Sequence, residues 1–327
     1  MGSKQMNIVE AINNALMLEM EKDKSVMIIG EDVGVDGGVF RVTQGLMEKF
    51  GTNRVVDTPL AESAIAGTAI GLAINGFKPV AEIQFDGFTY SALDQLISHA
   101  ARMRTRSRGR FTVPLVIRFP FSGGIRAPEH HSESPEAYYA HTPGLKVVIP
   151  STPFDAKGLM IASIEDPDPV IFFEPKKIYR AFKQDVPEEH YALPLGQALV
   201  EREGNDITLI SYGAMMKVAR NAIEQLSKEN ISIELIDLRT ISPIDEDTIL
   251  ASVEKTGRCI ILQEAPRSFS VSSHISALIN ENSLLSLKAP IQRVTGFDVI
   301  MPLAKLEDKF LPNEARLIKA VRDVMKY

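Results

Sequence analysis

The chain has 327 residues, with 36 Lys plus Arg against 42 Asp plus Glu and a formal net charge of −6. Hydrophobic residues make up 45% and charged residues 24%, an ordinary globular composition that excludes a disordered or low-complexity chain. The acidic balance excludes a whole-molecule basic field for nucleic acid, and no apolar run reaches the roughly 18 residues that a membrane span needs.

At roughly 150 residues per domain the length implies two domains. Met1 to Gln5 precede a second methionine, Met6, and read as residues added ahead of the natural start, with no signal or transit peptide. Asn7 and Glu10 form a capping pair for a first helix, whose apolar stripe is Ile8, Ile12, Ala15 and Leu16. An apolar run over 25–29, ended by Gly30, is a buried strand. Further strands are expected over 54–56, 79–84, 113–119, 146–149 and 170–174, and helices over 61–75, 91–103 and 153–164. Thr152-Pro153 is a cap followed by a first-turn proline. Continuous apolar strands separated by helices indicate a parallel sheet covered on both faces.

Residues 184–195 are polar, carry Pro187 and Pro194, and have no clean period, so they read as a linker. A second alternation follows, with strands over 206–211, 231–238, 259–263 and 291–295. Its helices are expected over 214–228, 246–255, 270–279 and 313–325. The fold class is therefore α/β, with two doubly wound domains over 6–185 and 201–327 joined by a linker over 186–200.

Several chemistries lack their motifs. No Gly-x-Gly-x-x-Gly follows a strand, and neither a P-loop nor a Gly-x-Ser-x-Gly elbow occurs. Adjacent His130 and His131, with no other cluster at ligand spacing, argue against zinc. The single cysteine, Cys259, lies in an apolar strand and reads as a core thiol, which suits a reducing cytoplasm. Arg102, Arg104, Arg106, Arg108 and Arg110 alternate without interleaved aromatic residues. They read as a subunit-interface or salt-bridge strip.

Six segments then occur in a telling order. They are Gly30-Glu31-Asp32-Val33 before Gly37-Gly38-Val39-Phe40, Asp57-Thr58-Pro59-Leu60-Ala61-Glu62-Ser63, and Glu82-Ile83-Gln84-Phe85. After these come His131-Ser132-Glu133-Ser134-Pro135-Glu136-Ala137 leading to His141-Thr142-Pro143-Gly144, Phe172-Phe173-Glu174-Pro175-Lys176, and a run from Ile236 to Pro243 read as opening a helix. Together they resemble the beta subunit of the decarboxylase component of 2-oxo acid dehydrogenase complexes. The resemblance covers the chain from about Met6 to its end.

It implies a pyrimidine-binding domain of the transketolase type followed by a transketolase C-terminal domain. It further implies thiamine diphosphate shared with an alpha subunit in an alpha-2-beta-2 heterotetramer, and acyl transfer to the lipoyl group of an acyltransferase component. By position, Glu62 would activate the aminopyrimidine, and Leu60, Gln84 and Phe88 would line its pocket. A tyrosine is common where Phe88 stands. His131 would serve acyl transfer, and Glu133, standing where a glutamine is usual, would favour its imidazolium form. Backbone carbonyls of Val113, Leu115, Val116, Ser163, Asp166 and Asp168 would hold a potassium ion. Gly-Asp-Gly does not occur, so the resemblance leaves magnesium and the diphosphate to the alpha subunit. Residues 37–41 and 134–137 lean the substrate towards branched-chain 2-oxo acids, with pyruvate the alternative. An electron-carrier flavoprotein subunit and a two-chain transketolase-like enzyme are rival readings. The second domain is expected to carry dimer contacts and to dock the acyltransferase core.

Overall fold

The computed structural model describes residues 2–327. A seven-stranded sheet runs in the order Thr240–Ser242, Lys146–Val148, Val170–Pro175, Val116–Phe121, Lys78–Glu82, Val26–Gly30, Val55–Asp57. All its pairings are parallel except that of Thr240–Ser242 with Lys146–Val148. Its inner strands are buried residue after residue. Their continuous apolar runs follow from helices covering both faces.

The helices Ile8–Lys22 and Pro153–Glu165 cover one face, and Glu62–Ile74 with Thr89–Ser98 cover the other. The first helix starts at a complete capping box. The Glu10 amide donates to Asn7 Oδ1 at 3.0 Å, and the Asn7 amide donates to Glu10 Oε2 at 2.8 Å. Thr152 caps Pro153–Glu165 by accepting the Asp155 amide at 3.1 Å.

The second sheet has five strands in the order Gln292–Val294, Cys259–Leu262, Ile207–Ser211, Ile233–Asp237, Leu199–Arg202. Only the last is antiparallel to its neighbour. Both sheets are doubly wound, as the alternation of elements requires. Cys259 is fully buried in its strand, and burial pushes its thiol pKa up. Among the described residues no helix is long and apolar enough to cross a membrane.

Four short strands escape a reading of the sequence, one of them Leu199–Arg202, which begins inside the expected linker. Ser3–Met6 pairs antiparallel with Gln184–Pro187, so residues read as additions, and the start of the expected linker, form a ribbon. Residues 236–243 do not open a helix directly. Ile233–Asp237 ends, Thr240–Ser242 crosses to the edge of the first sheet, and the helix Glu246–Thr256 begins after that. The two apolar cores likewise run through both domains, Ile149 and Phe173 of the first sharing a cluster with Ile210 and Ile236 of the second.

Candidate active site at the carboxyl edge of the first sheet

The strand Val26–Gly30 has Val55–Asp57 on one side and Lys78–Glu82, the next strand in the chain, on the other. This reversal of strand order opens a crevice beyond the carboxyl ends, the usual ligand position in open α/β sheets. The strands approach closely there. Gly30 has φ +157°, and a Cβ on it would lie 2.8 Å from the Glu82 carbonyl oxygen.

Acidic groups gather at these ends. Glu62 is the first residue of the helix Glu62–Ile74, whose preceding residue, Ala61, offers no side-chain cap. The carboxylate therefore meets the positive end of the helix. The Ser91 hydroxyl lies 3.1 Å from Glu62 Oε2 and 2.9 Å from the Phe88 carbonyl, tying the acid to the aromatic turn. Glu31, at the end of the first crevice strand, is 5% exposed, and neither of its carboxylate oxygens has a partner. Burial, reinforced by the charges of Glu62, Asp32 and Glu82, pushes its pKa up to about 7. Gln84 reaches across the crevice to donate to Asp32 Oδ2 at 3.0 Å.

Beneath the crevice, Arg118 is fully buried. It donates to Glu174 through Nε at 2.5 Å and Nη2 at 2.9 Å, and to Glu82 through Nη1. Tyr179 donates to Glu174 at 2.5 Å. This network joins three strands, one guanidinium facing two carboxylates.

An aromatic wall closes one side. The His131 ring packs edge-on against Phe85 at 4.3 Å and Phe88 at 5.1 Å between centroids, and Phe85 continues the row to Phe40 at 5.6 Å. Nδ1 of His131 is buried without a partner. Burial, followed by the neighbouring His130 and Lys176, lowers the His131 pKa. This corrects the expectation that Glu133 would favour the imidazolium. The Glu133 carboxylate turns to Tyr90, which donates to it, and Glu133 is not among the charges acting on His131.

The structure thus places Glu62, Gln84, Phe88 and His131 around one crevice, and leaves Leu60 78% exposed at its rim. Reasoning from sequence gave no role to Glu31, Phe85 or Ser91. The signal for Glu31 was an acid directly after a wholly apolar strand, where burial is hard to avoid. A carboxylate, exposed apolar surface and aromatic rings, beside an unpaired buried acid, form a donor set that fits the aminopyrimidine end of thiamine diphosphate.

The six expected potassium ligands lie on two adjoining segments away from this crevice. Val113, Leu115 and Val116 lead into the strand Val116–Phe121. Ser163, Asp166 and Asp168 lie at and just beyond the end of Pro153–Glu165. The Leu115 carbonyl accepts the Val170 amide at 2.9 Å, joining the segments. The side chains there pair with cations, Lys146 with Asp166 at 2.5 Å and Arg104 with Asp168 at 2.7 Å. Arg104 is the member of the arginine strip that makes such a pair, and the other four are exposed.

Residues 4–181 match the family described as transketolase, pyrimidine binding domain, and residues 196–317 match transketolase, C-terminal domain. The chain is 53% identical over 319 residues to the pyruvate dehydrogenase E1 component subunit beta of Acholeplasma laidlawii, covering 98% of each. It is 51% identical over 323 residues to the protein of that name from Bacillus subtilis (strain 168), covering 99% of each. Its backbone matches that of a split gene transketolase, an inactive beta4 tetramer, with TM-score 0.80 over 99% of both chains. At 19% identity this match speaks for the fold alone. The relatives support pyruvate, the alternative reading, rather than branched-chain acids, and they displace the flavoprotein reading. The chain belongs to the transketolase-like family of beta subunits of 2-oxo acid dehydrogenase E1 components.

Proposed function

We propose that the chain is the beta subunit of a pyruvate dehydrogenase E1 and acts with an alpha subunit in an alpha-2-beta-2 assembly. The observation that carries this reading is the half-buried Glu62 carboxylate beside the unpaired, buried Glu31 at the crevice. The naming of relatives at 51–53% identity points to pyruvate.

Thiamine diphosphate, when bound, supplies an electron sink for decarboxylation of a 2-oxo acid. Glu62 would hold the polar edge of its aminopyrimidine by a hydrogen bond and manage the proton at that carboxyl. Glu31, whose pKa is pushed up to about 7 by burial and by the charge of Glu62 among others, keeps its proton further up the pH scale than an ordinary carboxyl and limits negative charge there. Leu60 and Phe88 supply apolar surface for the ring, and Gln84, held by Asp32, orients its polar edge. The absence of Gly-Asp-Gly from the sequence supports leaving magnesium and the diphosphate to the alpha subunit.

Overall, the carboxylate leaves as carbon dioxide and the acyl carbon loses two electrons to a lipoyl disulfide. One sulfur takes the acyl group and the other takes a proton. His131 delivers that proton, and its lowered pKa makes its imidazolium a readier acid. The carbonyls of Val113, Leu115, Val116, Ser163, Asp166 and Asp168 would hold potassium. A higher unfolding midpoint in potassium than in equimolar sodium is the expected result. The second domain docks the acyltransferase component.

The test is co-production with an alpha subunit, then decarboxylation of pyruvate and of a branched-chain 2-oxo acid, each with and without thiamine diphosphate. Glu62→Gln is expected to assemble normally and to lose at least ~100-fold in rate. Parental turnover in that variant defeats the assignment, and preference for the branched-chain acid defeats the substrate reading.

A further inference from the structure

His131 lies on a single turn of 3-10 helix, Glu129–His131, which has no regular element to hold it. Its anchorage comes from a second short turn, Asp86–Phe88, after the strand Lys78–Glu82. The two turns touch backbone to side chain. A Cβ on Gly87 would sit 2.1 Å from the His130 carbonyl oxygen and 2.8 Å from its ring, so only glycine allows this approach.

Asp86 is the centre of the contact. Its side chain is fully buried, and Oδ2 accepts the Glu133 amide at 2.7 Å, two residues beyond His131. Its Oδ1 accepts from Lys176 Nζ at 3.2 Å, and the Lys176 side chain is fully buried as well. The Asp86 carbonyl accepts the Thr89 hydroxyl at 2.5 Å, which keeps the turn closed. From the other side, the Glu133 carbonyl accepts the Ser122 amide at 2.8 Å. The segment carrying His131 is thus held at both backbone polar groups of Glu133, and one of the two holds is a buried charge.

Two buried charges are a costly way to hold one amide. Apolar residues of similar volume often stabilise a fold as well as a buried ion pair does. A carboxylate does offer a strong, directional acceptor for an amide, which an apolar side chain cannot. Lys176 keeps that carboxylate ionised where burial opposes it. The geometry therefore favours placement of a segment over bulk stability.

We propose that the buried Asp86–Lys176 pair is a positioning device for His131, fixing the 129–133 segment through the Glu133 amide so that the imidazole stays between Phe85 and Phe88. This rests on the reading of His131 as the residue that serves acyl transfer. Asp86 and Lys176 act through the segment and touch neither substrate nor cofactor.

The test uses the alpha-beta assembly and separates the half-reactions. Decarboxylation is followed with an artificial electron acceptor, and acyl transfer with a lipoyl domain. The double variant D86L/K176L removes both charges and the acceptor together. It is expected to lower acyl transfer at least tenfold while decarboxylation changes less than twofold. D86N/K176M, which restores an acceptor oxygen without charge, is expected to recover acyl transfer to within threefold of the parent. Parental acyl transfer in D86L/K176L, or an equal fall in both half-reactions, overturns the proposal.

If D86L/K176L does not fold, the smaller double variant D86A/K176M, which also removes both charges and the acceptor, decides by amide hydrogen exchange. Faster exchange confined to 129–134 supports the proposal, and unchanged exchange there overturns it. His131→Ala is the control for the underlying reading. If it transfers acyl groups normally, the role given to His131 fails, whatever the exchange shows about the segment.

Discussion

The two sheets are built alike, yet their carboxyl edges are finished differently. At the edge of the second sheet several polar groups find partners within the chain, although Glu264 Oε2 and Arg239 Nε are buried without one. Ser211 donates to the Leu262 carbonyl at 2.9 Å, and Ser151 donates to Asp237. Gln263 donates to the carbonyls of Ala265 and Pro266 at 3.2 and 3.0 Å and accepts the Ser272 amide at 2.8 Å. At the edge of the first sheet, Glu31 and Nδ1 of His131 are buried with nothing to bind. Buried polar groups are normally paired. What distinguishes the first edge is the setting of its unpaired groups, Glu31 beside the charge of Glu62 and His131 against the rings of Phe85 and Phe88.

The contrast is open to attack by mutation. The largest effect is expected at Glu62, where glutamine keeps the shape and removes the acid. Decarboxylation by the assembly should fall at least ~100-fold while its unfolding curve stays in place. Equal sensitivity of the two sheet edges in this assay would erase the distinction.

Next comes Glu31→Gln, read by chemical unfolding of the assembled protein across pH. The folded-state pKa of Glu31 is raised to about 7 from an ordinary 4.5. The parent therefore loses stability as pH rises through that window, because its folded state holds the proton that its unfolded state releases. Glutamine cannot release that proton. The variant should gain on the parent by about 1–3 kcal/mol between pH 4.5 and pH 7.5, with no gain below pH 4.

At the second edge, Gln263→Ala leaves the buried Ser272 amide without its acceptor. It should cost about 1–3 kcal/mol of stability, with decarboxylation within twofold of the parent. The smallest effect is expected from Asn7→Ala, which removes a helix cap far from either edge. A loss of about 1 kcal/mol in the same unfolding assay, without a change in activity, marks the background against which the others are judged.

Much of the candidate site was legible because its residues follow strands closely in the chain. Glu62 lies five residues after Asp57, and Gln84 lies two residues after Glu82, so strand, turn and acid or amide could be read from one stretch. His131 was legible only through its motif, since nothing in its own turn sets its position. What escaped depends on distant partners. Asp86 meets Lys176 across 90 residues, and no local pattern marks either as buried. The direction of the His131 pKa shift was misread for a related reason. Glu133 adjoins it in sequence, yet the carboxylate pairs with Tyr90, 43 residues away. Edge strands such as Thr240–Ser242 were missed because three residues carry too little alternation to be seen, and their pairing is set by the other sheet.

That last strand has a mechanical consequence. Because the second half of the chain lends Thr240–Ser242 to the sheet of the first, swinging the halves apart would mean tearing a ladder. The shared strand and the apolar cluster common to both halves tie the crevice to the second domain, so hinge opening between the halves is a costly route into it.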